Sequence, residues 1–137
     1  MSLTPYLTFK GDCAEAFKFY ETVLDGEITF TMTYGEAPPG EPVPPDMKEK
    51  IMHASMTIGT SELMGSDAPA QYASTPAGFS ISLNPKTPEE AETIYAALSE
   101  GGSIKMPIGE TFWAQRFAMF IDKFGIPWMI NCEKQMG

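Results

Sequence analysis

The sequence predicts an α+β protein built from two copies of a strand-helix-strand-strand-strand unit (βαβββ), and three observations carry that prediction. Two helix signatures with the same cap, apolar face and stop recur 75 residues apart. Strand-like runs bracket each of them in the same order, and each half closes in a hairpin pattern. At 137 residues the chain is one domain's worth, so two half-size modules have to share a core to bury enough apolar surface.

In the first half, Leu3 to Phe9 alternates loosely and reads as a strand. Asp12 stands where a side chain caps a helix, with Glu15 three positions on as in a capping box. Ala16, Phe17, Tyr20, Val23 and Leu24 follow at helical spacing, and Gly26 is the stop. Glu27 to Tyr34, rich in Thr, Ile, Phe and Tyr, reads as the next strand. Five prolines in residues 35–49 (Pro38, Pro39, Pro42, Pro44 and Pro45) exclude a central strand there and predict an inserted surface loop or lid. Ile51 to Ile58 and Ser61 to Ser66, turned at Gly59-Thr60, form the hairpin that ends the module at residue 67.

Residues 68–77, with Pro69 and Pro76, read as a linker long enough for modules to exchange between chains. The second module, 78–137, repeats the plan. Gly78 to Asn84 is its first strand, and Thr87, Pro88 and Glu90 make a stronger cap than the first one. Ala91, Ile94, Tyr95 and Leu98 form the helical face, and Gly101-Gly102 ends it. Ser103 to Met106, Arg116 to Ile121 and Pro127 to Cys132 complete the module, the last two turning around Lys123-Phe124-Gly125. At an offset of 75 residues Glu15 falls on Glu90, Ala16 on Ala91, Tyr20 on Tyr95 and Gly26 on Gly101.

Nine basic against eighteen acidic residues give a net charge of -9, which repels phosphate backbones and anionic lipid surfaces. Nucleic acid and membrane are therefore poor partners. No apolar run reaches the ~20 residues of a membrane span, and the N-terminus has neither a basic start nor an apolar core, so a cytoplasmic protein is expected. Cys13 and Cys132 form no CxxC and are expected as free thiols in a reducing compartment.

Several stretches are more specific. Pro5-Tyr6-Leu7-Thr8-Phe9 leads into Gly11-Asp12-Cys13-Ala14-Glu15-Ala16 and Phe19-Tyr20; further on come Leu63 to Asp67 and Glu110-Thr111-Phe112-Trp113-Ala114 with Arg116-Phe117. The most distinctive run is Asp122 to Asn131. On these residues the chain resembles the PhnB-like branch of the vicinal-oxygen-chelate superfamily, which includes glyoxalase I and the bleomycin- and fosfomycin-resistance proteins. The resemblance implies paired βαβββ modules whose curled mixed sheets surround a cleft, in a homodimer. In metal-dependent members, the resemblance further implies, the ligands, typically His and Glu, come from the first and last strand of each module. By position those sites are Pro5, a residue between Glu62 and Met64, Ser80 and Met129. Only Glu62 is a ligand for a hard divalent ion, and His53 is the single histidine in the chain. No metal and no cofactor are expected. The branch is often labelled as a demethylubiquinone methyltransferase domain, but no glycine-rich strand-to-helix turn of the adenosyl-binding kind is present.

Within the implied cleft, Phe112 and Trp113 beside Arg116 read as an aromatic platform next to a guanidinium, suited to a planar or anionic small molecule. The plainer alternative has Trp113 plugging the core and Arg116 paired with surface acid. Met129 and Asn131 share strand parity, as do Ser80 and Ser82, and with Phe9 these complete the expected lining. Glu110, if buried against Trp113, and His53 are the candidate acid-base residues; the plain readings are a solvated glutamate and a hydrogen-bonded structural histidine. The ten methionines suit an adaptable surface for apolar ligands, or serve only as core filler. The function expected is binding of a small molecule without metal. The alternatives are a lyase, isomerase or transferase using the same cleft, and a ligand-free dimerisation module.

Overall fold

The strand-helix-strand-strand-strand order recurs twice in the computed structural model, which describes residues 1–40, 42–72 and 74–134. The chain divides into two units, Met1–Ser74 and Thr75–Gly137. The first contains β1 (Tyr6–Phe9), α1 (Cys13–Val23), β2 (Glu27–Thr33), β3 (Ile51–Ile58) and β4 (Ser61–Asp67), with the sheet ordered β1-β4-β3-β2. The second contains β5 (Ile81–Leu83), α2 (Pro88–Leu98), β6 (Ser103–Gly109), β7 (Ala114–Ile121) and β8 (Pro127–Glu133), ordered β5-β8-β7-β6. Each sheet is mixed: β1 runs parallel to β4 and β5 to β8, while the other pairs are antiparallel.

Each helix covers one face of its own sheet, because alternate strand residues supply the apolar side. Leu7, Phe9 and Leu63 meet Phe17 and Tyr20 of α1 in the first core; Phe120, Trp128 and Ile130 meet Leu98 of α2 in the second. The opposite face of each sheet carries no helix of its own unit. Fully burying such side chains contributes about 1.5–3 kcal/mol each, so the helix-facing set holds each unit together.

The helix ends show where local signals suffice. Thr87 caps α2 as its sequence predicts, its hydroxyl accepting from the Glu90 N–H at 3.1 Å. Asp12 does not play that part in α1. The buried carboxylate of Asp67, at the end of β4, accepts instead from Gly11 N, Cys13 N and Ile51 N, all at 2.9 Å. The helices lie 75 residues apart at both ends. After them the register slips by one, and positive φ falls on Asp25 (52°) and Gly101 (79°). Gly26 and Gly102 then meet a neighbouring strand: a Cβ on Gly26 would sit 2.9 Å from Thr57 O, and one on Gly102 would run into the Ile121 carbonyl. Gly26 is required for close approach rather than as the left-handed stop.

Several expected boundaries move. β5 is shorter than the predicted Gly78 to Asn84, and β6 and β7 are longer than expected. The proline-rich segment is tied back rather than hanging as a lid. Gly35 N donates to Lys48 O, Tyr34 N to Lys50 O, and Met47 is 6 % exposed. Glu36 accepts from the Thr33 backbone N–H and from its hydroxyl, which hold its carboxyl below the ordinary value. Among the described residues no helix is long and apolar enough to cross a membrane.

Cys13 and Cys132 are both fully buried and free. Burial is the main cause that pushes both thiols above their ordinary value; the Asp67 and Asp12 charges add to it at Cys13, while at Cys132 Arg116 opposes it and Glu89 and Glu90 add to it. Thiolate is the reactive form. The native protein is therefore expected to give no prompt reaction with a disulfide thiol reagent at pH 8, and two equivalents after unfolding. A fast-reacting thiol in the native protein would refute this.

Candidate functional site

The strand registers define a row of four side chains across the open face of each sheet. In the first sheet it runs Tyr6, Met64, Ser55, Phe30, each opposite the next. In the second it runs Ser82, Met129, Met119, Met106. The two rows occupy equivalent places in their sheets and set a first-strand and a last-strand side chain next to each other, Tyr6 with Met64 and Ser82 with Met129. Pro5 and Ser80 lie just before the paired segments, Pro5 giving its carbonyl to Met64 N.

His53 lies next to the first row. Its ring stands 5.7 Å from that of Tyr6 and 5.9 Å from that of Phe30, centroid to centroid. Both ring nitrogens are engaged: Nδ1 is 3.3 Å from Tyr6 Oη and Nε2 is 3.2 Å from Ser55 Oγ. Ser55 is buried at 8 % exposure, whereas Tyr6 is 50 % exposed, so the chain of hydrogen bonds runs from the sheet interior to an open hydroxyl. Nearby, Tyr34 donates its hydroxyl to Asp67 O at 2.8 Å; burial first, then the Asp67 and Tyr6 charges, raise its pKa above the ordinary value.

On the second sheet Trp113 and Asn131 come together, the indole N–H donating to Asn131 Oδ1 at 3.2 Å. Trp113 packs edge-on against Phe117 at 5.2 Å and against the exposed Phe112 at 4.8 Å. Asn131 also lines an open depression of about 430 Å³ with Asn84, Pro85, Lys86, Glu133 and Lys134. A second cavity of about 240 Å³ lies against Ser80, Phe79, Lys105 and Met119. Ser82 is exposed and donates to Asn84 Oδ1 at 3.2 Å.

Three expected members of the site stand elsewhere. Arg116 is directed to the helix side, where its Nε meets Glu92 Oε1 of α2 at 3.0 Å. Trp113 precedes β7 and turns its indole to Asn131, while Arg116, opposite Cys132, turns to α2, so the predicted pairing of Trp113 with Arg116 is not made. Glu110 is not buried against Trp113 but exposed, 3.1 Å from Lys134 Nζ. Phe9, 2 % exposed, packs edge-on to Phe17 in the first core. Conversely, sequence reading left Tyr6, Ser55 and Phe30 out of the site. Alternation with the apolar Leu7 and Phe9 is the signal the sequence offers for Tyr6, but only the cross-strand register brings all three beside His53.

Glu62 is exposed at the end of β4, opposite Thr57. Among the described residues no three His, Cys, Asp or Glu side chains are grouped so as to hold a metal ion.

A family model described as 3-demethylubiquinone-9 3-methyltransferase matches residues 1–131. Protein YjdN of Escherichia coli (strain K12) is 37% identical over 143 residues, covering 98% of this chain and 97% of YjdN. The crystal structure of protein PA1353 from Pseudomonas aeruginosa superposes with a TM-score of 0.90 at 46% identity, covering 98% of this chain and 99% of that one. A PhnB protein from Bacillus cereus follows at 0.78 and 30% identity, covering 96% and 99%. At 12% identity the likeness to a glyoxylase/bleomycin resistance protein/dioxygenase domain from Frankia sp. EAN1pec (TM-score 0.68, 98% of each chain) shows the fold alone.

Proposed function

Since the chain belongs to the 3-demethylubiquinone-9 3-methyltransferase family, the PhnB-like branch with the glyoxalase and bleomycin-resistance fold, we propose that it binds a small organic molecule on the open sheet faces without a metal ion. The observation that carries this reading is the identity of the two equivalent strand pairs, Tyr6 with Met64 and Ser82 with Met129. Hydroxyls and thioethers do not make a site for a hard divalent ion, which is held by imidazole and carboxylate. They do make a surface of aromatic rings, soft thioethers and a few hydrogen-bonding groups, the usual lining for an apolar ligand with a polar handle.

The methyltransferase description implies an adenosyl cofactor, and the strand-to-helix turns do not fit one. Asp67 already takes the Gly11 and Cys13 N–H groups at the start of α1. In the other unit Pro85 is buried and the Thr87 hydroxyl takes the Glu90 N–H. Neither turn has the run of close-approach glycines that lets a backbone hold such a cofactor.

Protein purified without added metal is expected to contain far less than one equivalent of zinc, nickel, manganese or iron, and native mass spectrometry of the same material to retain a small-molecule adduct that survives EDTA. One tightly held ion per chain, with the adduct lost on chelation, would overturn the reading.

A further inference from the structure

The Tyr6–His53–Ser55 chain can run in either direction. A neutral imidazole has one donating and one accepting nitrogen. If Ser55 donates to Nε2, then Nδ1–H donates to the Tyr6 oxygen and the Tyr6 O–H is free to donate outward. In the other tautomer Nε2–H donates to Ser55, Tyr6 donates to Nδ1, and the Tyr6 oxygen offers lone pairs outward. The same heavy-atom positions, 3.3 and 3.2 Å apart, serve both arrangements.

Beside this hydroxyl the rings of Phe30 and His53 and the thioethers of Met64 and Met32 occupy adjoining register positions, with the small polar pair Thr8 and Ser66 next along the strands. The four strands of this sheet contain no lysine or arginine, and Glu27 and Glu62 sit opposite or beside Thr57 at one end. An anionic ligand finds no counter-charge on these strands.

We propose that Tyr6 is the polar anchor of a ligand site on the open face of the first sheet, and that the ligand is a flat, neutral, largely apolar molecule carrying a carbonyl or hydroxyl oxygen. His53 is the positioning residue that sets Tyr6 as donor or acceptor by its tautomer, with Ser55 as the fixed inner end. This rests on the small-molecule reading above and specifies its chemistry.

His53 is the only histidine in the chain, so its ring nitrogens report the tautomer without assignment. The test titrates ¹⁵N-labelled protein with 2-acetylnaphthalene, which only accepts a hydrogen bond, and with 2-ethylnaphthalene, its near-isostere lacking the oxygen. The ketone is expected to bind tighter by roughly 2–12-fold, the worth of one net hydrogen bond, and to move the imidazole signals toward the Nδ1–H form. Tyr6→Phe is expected to remove the ketone's advantage while leaving the hydrocarbon's affinity unchanged, and Ser55→Ala to alter the tautomer balance without removing hydrocarbon binding. If the hydrocarbon binds but the ketone gains nothing, or Tyr6→Phe leaves the advantage intact, the anchor is overturned and the small-molecule reading stands. If neither compound perturbs any resonance of the first unit, the anchor and the reading of that face fall together.

Discussion

Replacing Asp67 by alanine is expected to destabilise the first unit by about 3–5 kcal/mol, among the largest effects of a single polar substitution. One carboxylate at the end of β4 accepts three backbone N–H groups: two at the entrance to α1 and one at the start of β3. Removing it leaves these donors with no protein acceptor around a residue that is 1 % exposed. Each stranded buried donor costs about 1–3 kcal/mol, less where water reaches it. Asp67→Asn should cost less. The amide oxygen can keep Gly11 and Cys13, but the NH₂ group then faces the Ile51 N–H and cannot accept from it. Urea denaturation gives the totals, and native-state hydrogen exchange at Gly11, Cys13 and Ile51 locates the loss. A cost under about 1 kcal/mol for Asp67→Ala would mean that water or a neighbour replaces the carboxylate, and the role assigned to Asp67 would be wrong.

The counterpart in the second unit is Trp128 with Asp122. Trp128 is 1 % exposed, and its indole N–H donates to Asp122 Oδ2 at 2.8 Å. The other carboxylate oxygen takes Phe124 N and Ile126 N, so one side chain ties the β7–β8 turn to the core. Trp128→Ala is expected to cost about 3–5 kcal/mol through the cavity and the lost transfer energy. Trp128→Phe should cost less, since most of the ring volume is kept while the hydrogen bond to Asp122 is not. The chain has two tryptophans, and Trp113 is 41 % exposed. Emission of Trp128→Phe should thus shift to the red of the wild type, and its guanidinium unfolding can be followed through Trp113. An unshifted spectrum with an unchanged midpoint would contradict the placement of Trp128.

Both locks join residues that are distant in sequence or that matter only once a turn is closed, and this explains what sequence reading could reach. The Thr87-Pro88-Glu90 cap and the apolar faces of α1 and α2 were legible because hydrogen bonds and contacts within a few residues produce them. Asp67 was not. Its partners at Gly11 and Cys13 lie across the parallel β1–β4 pairing, and nothing near Asp67 in the chain announces them. The proline-rich segment was legible as not being a strand, whereas its anchoring by Met47 and Lys48 depends on packing over the first unit.

The candidate site divides the same way. Trp113 and Asn131 were named from sequence and do meet, because both belong to the open face of the second sheet. Arg116 was named because it is close in sequence, yet it turns to Glu92 of α2. His53 was visible as the single histidine, but its partners were not. By itself the sequence determined the repeat, the order of its elements and the two helices, since residue type and local periodicity suffice for these. Which strand residues stand side by side, and hence the Tyr6–His53–Ser55 chain, only the tertiary structure decided. Cross-strand register is fixed by the burial of a whole sheet face against its helix, a long-range condition that no short stretch of the chain contains.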